Sequence, residues 1–168
     1  ENKLSTVDVV LGLNEAHYTS ALKEGLIQEG TPYEEASFSI LINKEKFPES
    51  KWPKSWEEAK AKLNGKLLIQ DPRTSEVGLA WLLNSTTLKN LSLPEAKKLP
   101  KRVFPSWSSS FEAFESGLAP AIWTYSTSAA YYQCTNDKNA KNFVNLPLPS
   151  YPKDRNYIAL VSKNASSS

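Results

Sequence analysis

Three short stretches hold residues whose types and spacing could do chemistry: Asp71-Pro72-Arg73-Thr74-Ser75, Pro105-Ser106-Trp107 with Ser108 to Ser110, and Tyr125-Ser126-Thr127-Ser128. Each sets hydroxyls just ahead of an apolar-periodic segment. A helix beginning there offers unpaired backbone N–H groups and the positive end of its dipole to an anion. Two of the stretches add an aromatic, Trp107 and Tyr125, whose flat face suits a ring or a cation. Ser and Thr are also favoured as plain helix caps; taken together, the three turns describe one concave, hydroxyl-lined surface. Asp71, Arg73 and Ser75 could be cast as a catalytic set. No histidine lies near them in sequence and no GxSxG elbow exists, so catalysis is not expected.

Composition narrows the classes further. The chain has 168 residues, 40% of them apolar, with five Trp, seven Tyr and six Phe, enough to build a core and to exclude disorder for most of its length. A net charge of +2 gives no single-sign field to argue for nucleic acid. The longest apolar runs, such as 78–83, fall far short of a membrane span. Cys134 stands alone, which excludes an internal disulfide framework and a Cys-based zinc site. His17 is the one histidine, which excludes sites needing two imidazoles. With no methionine and no signal peptide, the chain is expected to be a processed or trimmed product.

The elements that must position the three turns read as follows. Residues 7–13 form a short buried strand, and Asn14 caps a helix carrying Ala16, Leu22 and Leu26. Residues 29–35 are a loop and 37–42 a strand. Ser55 with Glu58 forms a capping box before a helix with Trp56, Ala59 and Leu63 on one face, stopped at Asn64-Gly65. Residues 66–70 are a buried strand, and the helix after Ser75 is buried all round. A short helix over 93–99 follows, entered through Pro94. Arg102-Val103-Phe104 leads into a helix with Phe111, Phe114 and Leu118 stacked on one side. Residues 119–124 are a strand, 129–134 a helix with Cys134 buried at its end, and 143–147 and 157–161 the last strands. Residues 165–168 are a small-residue tail. Strands alternating with helices imply an α/β fold with a mixed, mostly parallel sheet flanked by helices, and ligands bind beyond the carboxyl ends of such strands.

At these turns the sequence resembles the thiamine-binding proteins of bacterial thiamine ABC transporters, which have the type II periplasmic binding-protein fold. Ile69-Gln70-Asp71-Pro72-Arg73-Thr74-Ser75 with Gly78-Leu79 is similar to the family's QDPRTSxxGLxxLLW. Trp107-Ser108 with residues 111–117 is similar to GWSEAYGLFLKGE, residues 124–131 to SYTTSPAY, and residues 8–13 repeat DVVLGL. The family's Pro is Ala129 here, its DNN is replaced by Asn14-Glu15-Ala16, and the segment between Leu26 and Tyr33 is shorter. The chain looks incomplete at both ends against the family.

The resemblance implies a non-catalytic solute-binding component that holds thiamine or its phosphate esters in a cleft between two lobes and carries no cofactor. It places Ser75, Trp107, Tyr125 and Tyr131 at the ligand, with Asp71, Arg73, Thr74, Ser126 and Thr127 beside them. It implies a partial first lobe over 1–36, a complete second lobe with two hinge strands over 37–161, and a tail over 162–168. A membrane ABC permease as partner, a monomeric state and a periplasmic or extracytoplasmic location follow from the same likeness. The rival of the same fold is a binder of ferric ion or another small anion, suggested by adjacent Tyr131-Tyr132, since paired phenolates hold hard cations. Adjacent helical residues point about 100° apart, which makes Tyr132 a core residue instead. A third reading is a truncated lobe that binds nothing.

Overall fold

The computed structural model describes residues 7–88, 91–135, 138, 140–149 and 151–162. The chain divides into two compact units, Ser37–Pro152 and the paired segments Glu1–Ala36 and Lys153–Ser168.

The larger unit is built on a mixed sheet ordered β6-β2-β5-β3-β4. Its strands are the second half of β2 (Thr31–Asn43), β3 (Leu67–Gln70), β4 (Pro100–Phe104), β5 (Ala121–Tyr125) and β6 (Phe143–Asn145). Strand β3 runs parallel to both β4 and β5, whereas β2 pairs antiparallel with β5 and β6. Side chains alternate across this sheet. Phe38, Ile40 and Ile42 of β2, Leu67 and Ile69 of β3, and Trp123 of β5 enter one core. It is closed by Trp56 and Ala59 of α2 (Trp56–Lys62) and by Val77 and Trp81 of α3 (Glu76–Leu83). Leu41, Leu68 and Ile122 enter the opposite core, with Phe111 and Phe114 of α5 (Trp107–Glu115) and Tyr132 of α6 (Ser128–Cys134). Burial on both faces is why these strands read as unbroken apolar runs.

Local signals set the helix ends. Ser55 Oγ accepts the Glu58 N–H at 3.3 Å, but the Glu58 carboxylate turns to the Lys54 N–H, so half of the expected box forms. A reciprocal contact stands at α4 (Leu93–Lys98), where the Ser92 N–H donates to Glu95 Oε2 at 2.8 Å. At Gly78 a Cβ would lie 2.4 Å from the carbonyl oxygen of Gln70, so only glycine lets α3 pack this closely on the end of β3.

Several expectations change. Residues 31–35 are strand rather than loop, and 100–104 form the edge strand β4. Both carry mostly exposed side chains, so no apolar pattern marks them. Helix α5 ends at Glu115, and Gly117 takes a left-handed φ of +83°, which puts Leu118 outside the helix and in solvent. Leu83 is exposed, so α3 is not buried all round, and a π-helical turn over Asn84–Leu88 follows it. Cys134 is exposed, because α6 directs Tyr132 rather than its last turn into the core.

In the other unit, β1 (Val9–Asn14) pairs antiparallel with β7 (Lys153–Leu160), which lies between β1 and β2. Glu35 binds Lys153 at 2.6 Å, and Tyr18 stacks on Tyr157 with centroids 4.0 Å apart. Asn14 caps α1 (Glu15–Lys23) as the sequence indicates, accepting the His17 N–H at 2.9 Å, and His17 is solvated. The helix stops at Lys23, leaving Leu26 beyond it. Strand β1 is not buried. The cross-strand pairs Val9–Leu160 and Leu11–Ile158 are all exposed, Leu11 by 65%. Strand β7 groups with this unit and not with Ser37–Pro152. The 165–168 tail lies outside the described residues. Among the described residues no helix is long and apolar enough to cross a membrane.

Candidate functional site

Because β3, β4 and β5 are parallel, they end at the same side of the sheet, and each leads directly into a helix: β3 into α3, β4 into α5, β5 into α6. The three hydroxyl-bearing turns therefore gather at one end of the larger unit. The first two are joined directly. The Asp71 N–H donates to Phe104 O at 2.7 Å, and Thr74 Oγ1 donates to Pro105 O at 2.8 Å.

In the first turn most polar groups are already committed. Arg73 clamps the Asp71 carboxylate with Nη2–Oδ2 at 2.6 Å and Nε–Oδ1 at 3.0 Å, and its N–H adds a further bond at 2.9 Å. These bonds hold the Asp71 carboxyl down to about 2. Ser75 Oγ accepts the Gly78 N–H at 3.4 Å as the cap of α3.

The second turn presents Trp107, 38% exposed, and fixes it from both sides. Its indole N–H donates to Thr124 Oγ1 of β5 at 3.0 Å. Its carbonyl accepts the buried Ser110 hydroxyl at 2.7 Å, and Gln70 Nε2 donates to the same hydroxyl at 2.7 Å. The ring stacks on Phe111 with centroids 4.4 Å apart, and Phe111 in turn on Tyr132 at 5.8 Å. In the third turn Tyr125 stacks on Phe38 at 5.5 Å. Ser128 Oγ lies 3.0 Å from Thr124 Oγ1, tying this turn to the Trp107 network. Ser126 is held through its backbone, its N–H on Ser37 O at 2.8 Å. The Thr127 side chain makes no capping bond.

Between α5 and α6 lies a cavity of about 390 Å³ that is open to solvent. Trp107, Phe111, Tyr125, Tyr131 and Tyr132 line it, together with Ser108, Thr127, Ser128, Glu112 and Glu115. Asp71 and Arg73 instead line a separate hollow beside Trp81, Lys97 and Val103. Thr74, Ser75 and Ser126 line neither of these two hollows. Of the residues singled out beforehand, Trp107, Tyr125, Thr127 and Tyr131 share the aromatic cavity. Phe111, Glu112 and Glu115 were not among them. Their spacing from Trp107, at i+4, i+5 and i+8, puts them on one helix face and is the signal that could have found them. The adjacent tyrosines part company: Tyr131 is 63% exposed, while Tyr132 is buried and donates its hydroxyl to Glu115. No group of three His, Cys, Asp or Glu side chains suited to a metal occurs among the described residues.

A mixed sheet covered by helices on both faces, with its turns gathered at the carboxyl ends of parallel strands, is the architecture of type II periplasmic binding proteins. The iron-bound HitA of Pseudomonas aeruginosa shares this fold at 15% identity, covering 95% of this chain and 60% of its own, with a TM-score of 0.72. At the level of particular proteins, a solved periplasmic thiamin binding protein matches with a TM-score of 0.77 and 25% identity, over 95% of this chain and 56% of its own. The thiamine-binding periplasmic proteins of Brucella abortus and Escherichia coli are 31% and 30% identical over 158 and 169 residues, covering 79% and 85% of this chain. The chain spans about half the length of these curated relatives, 46% and 51% respectively. No protein-family profile matches it.

Proposed function

We propose that the chain is the ligand-holding part of the solute-binding component of an ABC importer, working outside the cytoplasm and taking thiamine or one of its phosphate esters for delivery to a membrane permease. It performs no catalysis in this reading. The observation that carries it is the aromatic cavity, in which Trp107 is fixed by Thr124 and Ser110 and faces the helix that bears Tyr131. Flat pyrimidine and thiazolium rings stack on such walls, and a thiazolium cation gains a cation–π attraction of about 0.5–2 kcal/mol. The volume of about 390 Å³ falls within the range of small-molecule pockets. The named relatives support the choice of ligand.

Thiamine titration tests the proposal. Saturable quenching of tryptophan fluorescence is expected, with Trp107→Ala and Tyr125→Ala each weakening binding by about 1–3 kcal/mol while circular dichroism is unchanged. No response to thiamine, together with saturable quenching and a charge-transfer band from ferric citrate, overturns it in favour of an iron binder.

A further inference from the structure

We propose that Gln70 is a positioning residue for the aromatic cavity: its buried carboxamide, acting through the Ser110 hydroxyl, holds Trp107 in place for a flat ligand. This rests on the proposed function and deepens it, since Trp107 is the stacking wall of that reading.

Strand β3 is buried along its whole length, and Leu67, Leu68 and Ile69 fill it with apolar side chains. Gln70 is the polar exception, and it has no exposed surface. A buried amide costs free energy unless it is hydrogen-bonded. This one uses its nitrogen twice. Nε2 donates to Ser110 Oγ at 2.7 Å and to Trp123 O at 3.2 Å, while Oε1 is buried with no hydrogen-bond partner. The backbone carbonyl of Trp123 only accepts, which fixes the nitrogen on that side. An apolar side chain would fill the same space without stranding an oxygen, so packing alone does not account for the amide.

The place of the two bonds does. Backbone pairing of β3 with β5 covers Leu67–Ala121 and Leu68–Ile122, whereas pairing with β4 runs on to Gln70–Phe104. Beyond Leu68 the Gln70 side chain bridges β3 to β5 in place of the ladder. Its second bond reaches the first turn of α5, where Ser110 Oγ passes the constraint on by donating to Trp107 O at 2.7 Å. Ser110 is fully buried, so water does not compete at its hydroxyl. Trp107 is thereby tied through its backbone to β3 and through its indole to Thr124 of β5. An exposed aromatic fixed at both ends has less freedom to lose when a ring stacks on it.

The test uses three variants. Gln70→Met keeps the length of the side chain without its amide, Ser110→Ala cuts the next link and leaves Gln70 on Trp123 O, and the third combines the two. Thiamine affinity is read by fluorescence titration, and hydrogen exchange of the assigned indole N–H groups by NMR. The Trp123 indole, whose N–H donates to Val77 O at 2.9 Å, is the internal control. Each single change should weaken thiamine by about three- to tenfold, the scale of one hydrogen bond. The combined variant should fall no further than the weaker single one, because both changes cut the same chain of bonds. The Trp107 indole N–H should exchange faster in all three, while the Trp123 indole holds its rate. Parent-like affinity in either single variant, losses that multiply in the combined one, or equal acceleration at Trp107 and Trp123 overturns the inference and leaves thiamine binding itself intact. If Gln70→Met does not fold, Ser110→Ala decides: parent-like affinity and Trp107 exchange overturn the inference, and a loss in both upholds it. A parent chain that binds no thiamine overturns the proposed function, and the exchange rates then decide whether Gln70 holds Trp107.

Discussion

Thr124→Val is the substitution that most directly tests whether Trp107 is held ready for a ligand. Thr124 is fully buried on β5, and its hydroxyl is the link between two turns: it accepts the Trp107 indole N–H and pairs with Ser128 Oγ, each at 3.0 Å. Valine keeps the shape and removes the oxygen. The indole bond is worth about 0.5–1.5 kcal/mol net, toward the lower end because Trp107 is partly exposed and its N–H can turn to water. Ser128 is 6% exposed and has no such recourse. Its hydroxyl, stripped of a partner, adds about 1–3 kcal/mol. The expected loss is therefore about 1.5–3.5 kcal/mol of unfolding free energy by urea titration, with a red-shifted tryptophan emission and weaker thiamine binding. Thr124→Ser keeps the hydroxyl and gives up a methyl group, costing about 0.8 kcal/mol. If the valine variant proves no less stable than the serine variant and binds thiamine like the parent, the hydroxyl link does not hold the indole.

Gly78→Ala should destabilise the larger unit by about 1–3 kcal/mol or more, since the new methyl would stand 2.4 Å from Gln70 O and 2.9 Å from Asp71 C, both backbone atoms; an unchanged urea midpoint would refute the close approach of α3 to β3. The Asp71 carboxyl should titrate near 2 by NMR, below its ordinary 3.8, and return toward 4 in Arg73→Ala. Because folding lowers this pKa, its stabilising effect is present above about pH 4 and disappears as the pH falls toward 2. Parent and Arg73→Ala should therefore converge in stability across that window, and a constant gap would contradict the Arg73 clamp.

What could be read from the sequence followed burial. Strands β3 and β5 and the second half of β2 lie between two helical layers, so both of their faces are apolar and the runs 67–69 and 121–123 stand out. Strand β4 is an edge strand whose Lys101, Arg102 and Val103 are exposed, and backbone pairing with β3 leaves no mark on such a sequence. The first half of β2 is hidden for the same reason, with Pro32, Glu34 and Glu35 in it. Trp107 and Tyr125 could be singled out as candidates because they stand at the hydroxyl-bearing strand-to-helix turns, and both line the aromatic cavity. Glu112 and Glu115 look like the polar face of any amphipathic helix until α6 is packed beside them. The Thr74–Pro105 bond that joins the first two turns is a contact between residues distant in sequence, which no local pattern encodes.

The uneven placing of apolar residues also governs how the chain responds to temperature. The heat-capacity change of unfolding arises mainly from apolar surface newly exposed to water. Among the described residues of the unit formed by β1, α1 and β7, Val9, Leu11, Leu22, Ile158 and Leu160 are exposed, and the buried apolar residues are Ile27 and Ala159. Opening it wets little that was dry. The curvature of stability with temperature, and with it any loss of structure on cooling, belongs almost wholly to Ser37–Pro152, whose two cores stand behind the aromatic cavity.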